Sequence, residues 1–203
     1  MTSTPSDNSQ EHHERSTSMY PLSFDFTGGF VHFADAAAVE DNIKRRRYFN
    51  MACIIFAAGA IETVINERIS LEARLFNSGA SRHFYGALAD AQRSISLRDK
   101  WNLLVSVRGG HQWDSAKEPY QSYDTIITIR NELLHYKADF LGHLEPPVNR
   151  IRPLLKIFGV PDERADDQIV GWLHALLESR DLGSWIKDKI DYKILLTLGS
   201  TQG

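Results

Sequence analysis

Apolar residues recur at helical spacing along most of the chain. Residues 51–61 are apolar on nearly every side, which predicts a central helix buried by several neighbours. The amphipathic spacing then continues as far as Asn77, Ser78 and Gly79, where the helix is expected to end. Further helical patterns cover residues 85–107, 121–135 or beyond, and 163–178, with shorter ones at 154–158 and 184–198. The sequence has no internal repeat, so this pattern predicts one α-helical bundle.

The segment 22–33 follows a different pattern from the rest of the chain. Apolar residues alternate with polar ones before the pair Gly28-Gly29 and resume after it, at Leu22, Phe24, Phe26, Phe30, Val31 and Phe33. Alternation around a glycine turn is typical of a β-hairpin. Asp35 would then cap a helix that begins within residues 36–39. The predicted fold class is therefore mainly all-α, with a small N-terminal β-hairpin.

Composition divides the chain into a polar tail and one domain. Residues 1–18 are rich in polar side chains without apolar periodicity, which predicts a disordered tail. Residues 19–203 form a single helical domain in this interpretation. Its central part covers about residues 49–140, and a C-terminal extension covers about residues 145–203.

Charge and hydropathy exclude some classes of protein. The 203 residues include 23 Lys and Arg against 26 Asp and Glu, so the chain lacks the basic field of proteins that coat nucleic acid. The apolar run 51–61 is shorter than the roughly 20 residues that cross a bilayer. The N-terminus also lacks the layout of a secretory signal, so a cytoplasmic protein without a membrane span is expected. The single cysteine, Cys53, is expected to be a buried, inert thiol.

Candidate chemistry is concentrated in the helical segment 124–137. At about 100° per residue, Arg130, Asn131 and His135 bracket an apolar stripe at positions 127, 134 and 138. The opposite side holds a second stripe, at positions 126, 129, 133, 136 and 140, which suits the core of the bundle. The first stripe then suits another surface, such as the same helix of a second copy of the chain. An isologous pair would bring two Arg130 and two His135 side chains into one groove.

These residue types suit chemistry on a phosphodiester. Histidine both accepts and donates a proton near neutral pH. Arginine presents a planar, permanently charged fork to phosphate oxygens. Asn131 is placed to orient His135 or to donate to a substrate. The segment has no cluster of carboxylates or histidines at metal-ligand spacing, so neither a metal nor another cofactor is expected.

Together these residues resemble a known family. The segment Arg130-Asn131-Glu132-Leu133-Leu134-His135 is similar to the Arg-Asn-x-x-x-His motif of the HEPN superfamily of small α-helical domains. The stretch 57–67 (AAGAIETVINE), with Glu62 and Asn66, resembles an upstream helix of bacterial members, as does Lys100-Trp101 before the loop that leads to the motif. The resemblance covers about residues 49–137.

The resemblance implies a metal-independent endoribonuclease acting at a dimer interface. The RNA 2′-hydroxyl would attack the adjacent phosphate, with His135 as acid and base, Arg130 as the transition-state clamp and Asn131 as a polar helper. Glu62 and Asn66, one turn apart on an otherwise apolar helix, need polar partners and are expected to support the motif helix; in the alternative, Glu62 reaches the active groove. Such domains act as toxins or in phage defence, which implies an antitoxin or other regulatory protein as a partner.

Alternative interpretations remain open for the same residues. Without catalysis, Arg130 and His135 would only fasten the bundle, and the chain would be a catalytically silent HEPN module that binds nucleotide, RNA or protein. A basic run at residues 44–47 either guides RNA or forms a solvated face. Near the motif helix, a tryptophan either stacks on a base or packs over the bundle end. The candidate RNA-binding residues there are Arg108, His111, Trp113, Lys117 and Lys137.

Overall fold

A computed structural model describes residues 21–75, 79–91, 94–107, 112–135, 151–160 and 171–190. These residues contain helices and turns and no strand, in agreement with the predicted all-α class. The predicted disordered tail, residues 1–18, lies outside them. The helices are α1 (Leu22–Val39), α2 (Ile43–Leu75), α3 (Gly79–Asp90), α4 (Leu97–Val107), α5 (Tyr120–Leu134), α6 (Arg152–Ile157), α7 (Trp172–Leu177) and α8 (Leu182–Lys189).

Helix α2 is the centre of the fold, as the apolar run 51–61 predicts. It packs against α1, α3, α4, α5, α7 and α8. Its fully buried side chains include Cys53, Ile54, Ile65 and Ile69. Burial raises the pKa of the Cys53 thiol to about 12, so the thiolate is not formed near neutral pH, which confirms the buried cysteine and fits its expected inertness.

The structure corrects the predicted β-hairpin. Residues 22–33 belong to α1, a continuous helix that packs along α2. The alternating residues Leu22 and Phe24 are exposed, at 51% and 75%, whereas Phe30, Ala34 and Ala37 are buried. The reason is that the buried residues recur at intervals of three or four, so a helix places them on one face against α2. The alternation at the start of the segment does not continue through it.

The correction extends to Asp35, which was expected to cap the next helix. Asp35 lies inside α1 and forms an ion pair with Lys187 of α8, at 2.7 Å between Oδ1 and Nζ. The N-terminus of α1 is held instead by Glu67 of α2. Glu67 accepts hydrogen bonds from the Ser23 backbone N–H at 2.9 Å and from the Ser23 hydroxyl at 2.5 Å. The first of these bonds satisfies one N-terminal backbone donor that the helix itself leaves free.

The glycines of α1 allow close contact with α2. A Cβ added at Gly29 would lie 2.1 Å from the ring of Phe56, whereas one added at Gly28 would meet nothing within 4 Å. The reverse contact is also present: the ring of Phe26 from α1 packs against Gly59 of α2. Each helix therefore contributes a phenylalanine that lies over a glycine of the other.

This contact predicts opposite effects for two neighbouring substitutions. Gly29→Ala is expected to lower the free energy of unfolding by about 1–3 kcal/mol, because the ring of Phe56 must move. Gly28→Ala is expected to raise it by about 0.5–1 kcal/mol through helix propensity alone. Thermal or denaturant unfolding of the two variants tests this. Equal shifts of the same sign would contradict the packing described.

The structure also divides the long helix predicted over residues 85–107. Helix α3 ends at Asp90 and α4 begins at Leu97. Ser96 provides the reason, since its Oγ accepts the Asp99 backbone N–H at 3.2 Å and donates to Asp99 Oδ2 at 2.5 Å. Serine in this position starts a new helix by capping it. With the second half of α2, α3 and α4 enclose a separate apolar cluster formed by Ile65, Ile69, Tyr85, Leu88, Trp101, Leu104 and Val105.

The C-terminal extension completes the main core. Helix α6 confirms the short helical turn predicted at 154–158, and α7 and α8 lie within the predicted patterns 163–178 and 184–198, apart from the first two residues of α8. Buried side chains of the extension join those of α1, α2 and α5 in one cluster, among them Leu155, Leu176, Leu182 and Ile186. The extension is therefore part of the domain's core within the described residues.

The hydropathy of α2 bears on the expected absence of a membrane span. Among the described residues, α2 is long and apolar enough to cross a membrane, with an 18-residue window of mean hydropathy 1.7. This is weak evidence, because the core helix of a soluble protein passes the same test and 44% of that window is buried inside the protein. The cytoplasmic location stays a prediction.

Candidate functional site

The motif residues lie at the C-terminal end of α5. Arg130 and Asn131 belong to its last turns, and His135 is the residue that follows its end at Leu134. The helix therefore ends one residue before the predicted minimum. The His135 backbone N–H still donates to the Asn131 carbonyl oxygen at 2.9 Å, so the turn is closed. Lys137 and residues 136–140 lie outside the described residues.

Burial around α5 follows the predicted two-sided pattern. Ile126 and Ile129 are fully buried in the core. On the other side, Asn131 and His135 are exposed, and Leu134 is 55% exposed between them and Arg130. The motif therefore occupies an accessible surface that includes an exposed apolar side chain.

Arg130 is held by Glu62 of α2. One Nη2 hydrogen of Arg130 is donated to Glu62 Oε1, in an ion pair whose partners are 68 residues apart in the sequence. The Arg130 side chain is 24% exposed and that of Glu62 is 44% exposed, so the pair lies at the edge of the core. The Nε of Arg130 is buried without a hydrogen-bond partner. Glu62 thus holds one corner of the guanidinium group and leaves other donors for a further acceptor.

Asn66 and Lys100 form a second contact beside the first. Lys100 Nζ donates to Asn66 Oδ1 at 2.9 Å. Lys100 is only 7% exposed, and this burial lowers its pKa, while the negative charge of Glu62 acts in the opposite direction. Glu62 and Asn66 are one helical turn apart, so cations from α4 and α5 reach the same face of α2. We call Glu62, Asn66, Lys100 and Arg130 the polar cluster.

Trp113 makes intramolecular aromatic contacts. Its ring stacks on Trp101 with centroids 4.0 Å apart, and Tyr120 and Tyr123 pack beside it at 5.8 and 5.3 Å. Its backbone N–H donates to Asn102 Oδ1 at 2.9 Å. Burial raises the pKa of Tyr123 well above its usual value, so its hydroxyl stays protonated. Of the two interpretations, these contacts favour Trp113 as a packing residue at the bundle end.

Of the remaining candidate RNA-binding residues, only Lys117 lies within the described part of the chain. Lys117 is an exposed side chain that pairs with Asp114 at 3.4 Å. Arg108 and His111 lie outside the described residues. In the basic run 44–47, Arg46 is buried and donates to the carbonyl oxygens of Glu40 and Glu178. Arg47 pairs with Glu178, so two of these cations serve the fold.

Sequence reasoning missed some side chains that the fold brings close to α5. Glu118, before the first turn of α5, accepts hydrogen bonds from Ser122 at 2.7 Å and from Lys189 of α8 at 3.3 Å. Burial raises the pKa of Glu118, but these donors outweigh it and the net shift is downward. Glu118 and Lys189 are 71 residues apart, so no local pattern indicated the pair.

Among the described residues, no group of three or more His, Cys, Asp or Glu side chains is arranged to hold a metal ion. The chain matches no known protein family, no curated protein and no solved structure.

Proposed function

We propose that this protein is a metal-independent endoribonuclease of HEPN type, in which Arg130, Asn131 and His135 cleave RNA where two copies of the chain meet. The polar cluster carries the proposal. In this cluster Glu62 binds Arg130 and Asn66 binds Lys100. The three sequence segments that carry the resemblance, 57–67, 100–101 and 130–135, are therefore in contact through these side chains. Arg130 is thereby fixed on the same helix end that carries an exposed asparagine and an exposed histidine.

The reaction needs one base and one acid. The RNA 2′-oxygen forms a bond to the adjacent phosphorus while the bond from phosphorus to the 5′-oxygen breaks. The base takes the proton of the 2′-hydroxyl, and the acid gives a proton to the departing 5′-oxygen. The products are a 2′,3′-cyclic phosphate and a 5′-hydroxyl. The need for an internal 2′-hydroxyl makes the substrate RNA rather than DNA.

His135 supplies the proton transfers in this proposal. It is exposed at the end of α5, so a substrate reaches its imidazole without opening the core. Neutral imidazole accepts a proton and imidazolium donates one, but a single ring is in only one of these states at a time. Two copies of His135, one from each chain of an isologous dimer, would provide the base and the acid together.

Arg130 and Asn131 stabilise charge in the transition state. The guanidinium group is permanently charged, and Glu62 occupies only part of its donor set. Hydrogen bonds from Arg130 to the phosphate oxygens would grow stronger as charge develops on them. Asn131 lies about 40° from His135 around the helix, so its amide is placed to contact the same substrate.

The exposed apolar surface of α5 supports a dimer. Leu134 is 55% exposed, and half-buried Ile127 lies on the same side between Arg130 and His135. Packing α5 against its symmetry mate would bury these side chains and bring the two motifs together. The resemblance further implies a toxin or defence effector. A regulatory protein that covers this surface would block both the dimer and the site.

The proposal is tested by cleavage of mixed cellular RNA in excess chelator. The wild-type chain is expected to produce cyclic-phosphate ends, and Arg130→Ala to lower the rate by about 10²- to 10³-fold. Arg130→Lys is expected to restore little of it, because lysine lacks the planar fork. Arg98→Ala, which removes an exposed arginine of α4, is the matched control.

Two outcomes of this experiment would contradict the proposal. A folded, dimeric wild-type chain that cuts none of the cellular RNA would favour the silent binding module. Equal cleavage by the wild type and by Arg130→Ala would separate the activity from the motif.

A further inference from the structure

A cavity of about 460 Å³ lies between the start of α5, α6 and α8. Its walls combine aromatic rings, aliphatic side chains and charges of both signs. Among them are Tyr120, Asp124, Leu154, Ile157, Trp185 and Lys189. The volume is in the range typical of small-molecule sites, which is about 300–1,000 Å³.

We propose that this cavity binds a nucleobase that carries an exocyclic amino group, a few nucleotides from the phosphate that is cleaved. The proposal rests on the proposed function and adds a specificity site to it.

The walls suit a flat heterocycle. Tyr120 and Trp185 both line the cavity, and aromatic side chains are the residues on which nucleobases stack. Both rings are only half-buried. Leu154 and Ile157 of α6 supply an apolar surface beside them. A base would therefore exchange water for aromatic and aliphatic contacts on entering.

The charges favour a base over a phosphate. The cavity is lined by two carboxylates, Glu118 and Asp124, and by one ammonium group, Lys189, so these side chains sum to one negative charge. Phosphate would be repelled, whereas amino groups of a base donate to carboxylates. Lys189 Nζ lies 3.3 Å from Glu118 Oε1. The cavity wall therefore has an ammonium donor next to a carboxylate acceptor. Cytosine, adenine and guanine carry the matching amino group, and uracil does not.

The position of the cavity connects it to the motif. At about 100° per residue, Gln121 and Asp124 lie on the same side of α5 as Asn131 and His135, within about 80° of one another. Asp124 and Asn131 are about 10 Å apart along the helix axis at 1.5 Å per residue. This corresponds to about three stacked nucleotides at 3.4 Å each, or fewer in an extended strand. One RNA strand along α5 would reach both places.

The test uses nucleosides, which have no phosphate and so do not depend on Arg130. Binding to the full chain carrying His135→Ala is measured by titration calorimetry. We expect cytidine and adenosine to bind with dissociation constants below about 1 mM, and uridine at least about tenfold more weakly. Cytidine and uridine form a matched pair, because they share the ribose and the ring and differ only in the group at position 4, amino or carbonyl, and in the hydrogen on N3.

Variants locate the bound base. Asp124→Asn and Lys189→Gln are each expected to weaken cytidine binding by about tenfold or more. Lys187→Gln is the matched control, since Lys187 lies on the same helix as Lys189, pairs with Asp35 of α1 and does not line the cavity. Circular dichroism and thermal unfolding establish that each variant is folded before its binding is compared.

The outcomes separate this inference from the proposed function. If cytidine fails to bind, binds no better than uridine, or binds the Asp124→Asn and Lys189→Gln variants unchanged, the inference is wrong even where the wild type cleaves RNA. If cytidine binds as expected but the wild type does not cleave RNA, the cavity is a nucleobase site and the proposed nuclease activity is wrong.

Discussion

His135→Ala is expected to lower the rate of RNA cleavage by about 10²- to 10⁴-fold, which is the usual contribution of general acid–base catalysis. In the proposed dimer one substitution removes both imidazoles, so both proton transfers are affected. The side chain is exposed at the end of α5, and the backbone hydrogen bond to Asn131 does not depend on it. The free energy of unfolding should therefore change by less than about 0.5 kcal/mol.

The measurement is the single-turnover rate on a defined RNA, with thermal unfolding and sedimentation of the same preparations. His83→Ala is the matched control, because His83 is an exposed histidine on α3. Its rate should equal that of the wild type. If His135→Ala keeps the wild-type rate, or loses rate only because it no longer dimerises, His135 has no role in proton transfer.

The largest expected effect on stability comes from Asn50→Leu. Asn50 is fully buried in α2, and its amide donates to the carbonyl oxygens of Leu177 at 2.7 Å and Ser179 at 2.8 Å, at the end of α7. Leucine has a similar branched shape but leaves these carbonyls without their donor. We expect the free energy of unfolding to fall by about 2–4 kcal/mol. For a chain of this size, each 1 kcal/mol corresponds to about 2–4 °C in melting temperature.

Calorimetric or denaturant unfolding tests this expectation, with Met51→Leu as the neighbouring, volume-conserving control. That control should cost less than about 1.5 kcal/mol. Asn50 lies three turns or more before Glu62 on α2, so the polar cluster should stay intact in the folded variant. A loss smaller than that of Met51→Leu would mean that the carbonyls find other donors. If folded Asn50→Leu cleaves RNA at a different rate from the wild type, the Asn50 contact is not independent of the candidate site.

Much of the candidate site follows from local spacing. The helical period alone places Ile126 and Ile129 on the buried side of α5 and leaves Leu134 exposed on the other, as the structure confirms. The contacts of the polar cluster do not follow from local spacing. Glu62 and Arg130 are 68 residues apart, and Asn66 and Lys100 are 34 apart. Helical periodicity gives the direction of each side chain from its own helix, but not which helices become neighbours.

The error at the N-terminus has the same origin. Two short patterns competed at residues 22–33, an alternation at Leu22, Phe24 and Phe26 and a helical period that includes Phe30. A pair of glycines occurs both in tight turns and in helices that pack closely against another helix. Packing against α2 decides between them, because the ring of Phe56 occupies the space at Gly29. The Trp113 side chain is a parallel case, since its stacking on Trp101 depends on how α4 meets the loop before α5.

By itself, the sequence determined the all-α class, the central position of α2, the buried cysteine and the two faces of the motif helix. Each depends on the order of apolar and polar residues within one helix, and this order acts through a fixed helical period. Only the tertiary structure decided that α1 is a helix, that Glu62 holds Arg130, and that Glu118 and Lys189 meet at the wall of a cavity. These features join residues far apart in the chain, so they depend on which apolar faces pack together when the core closes.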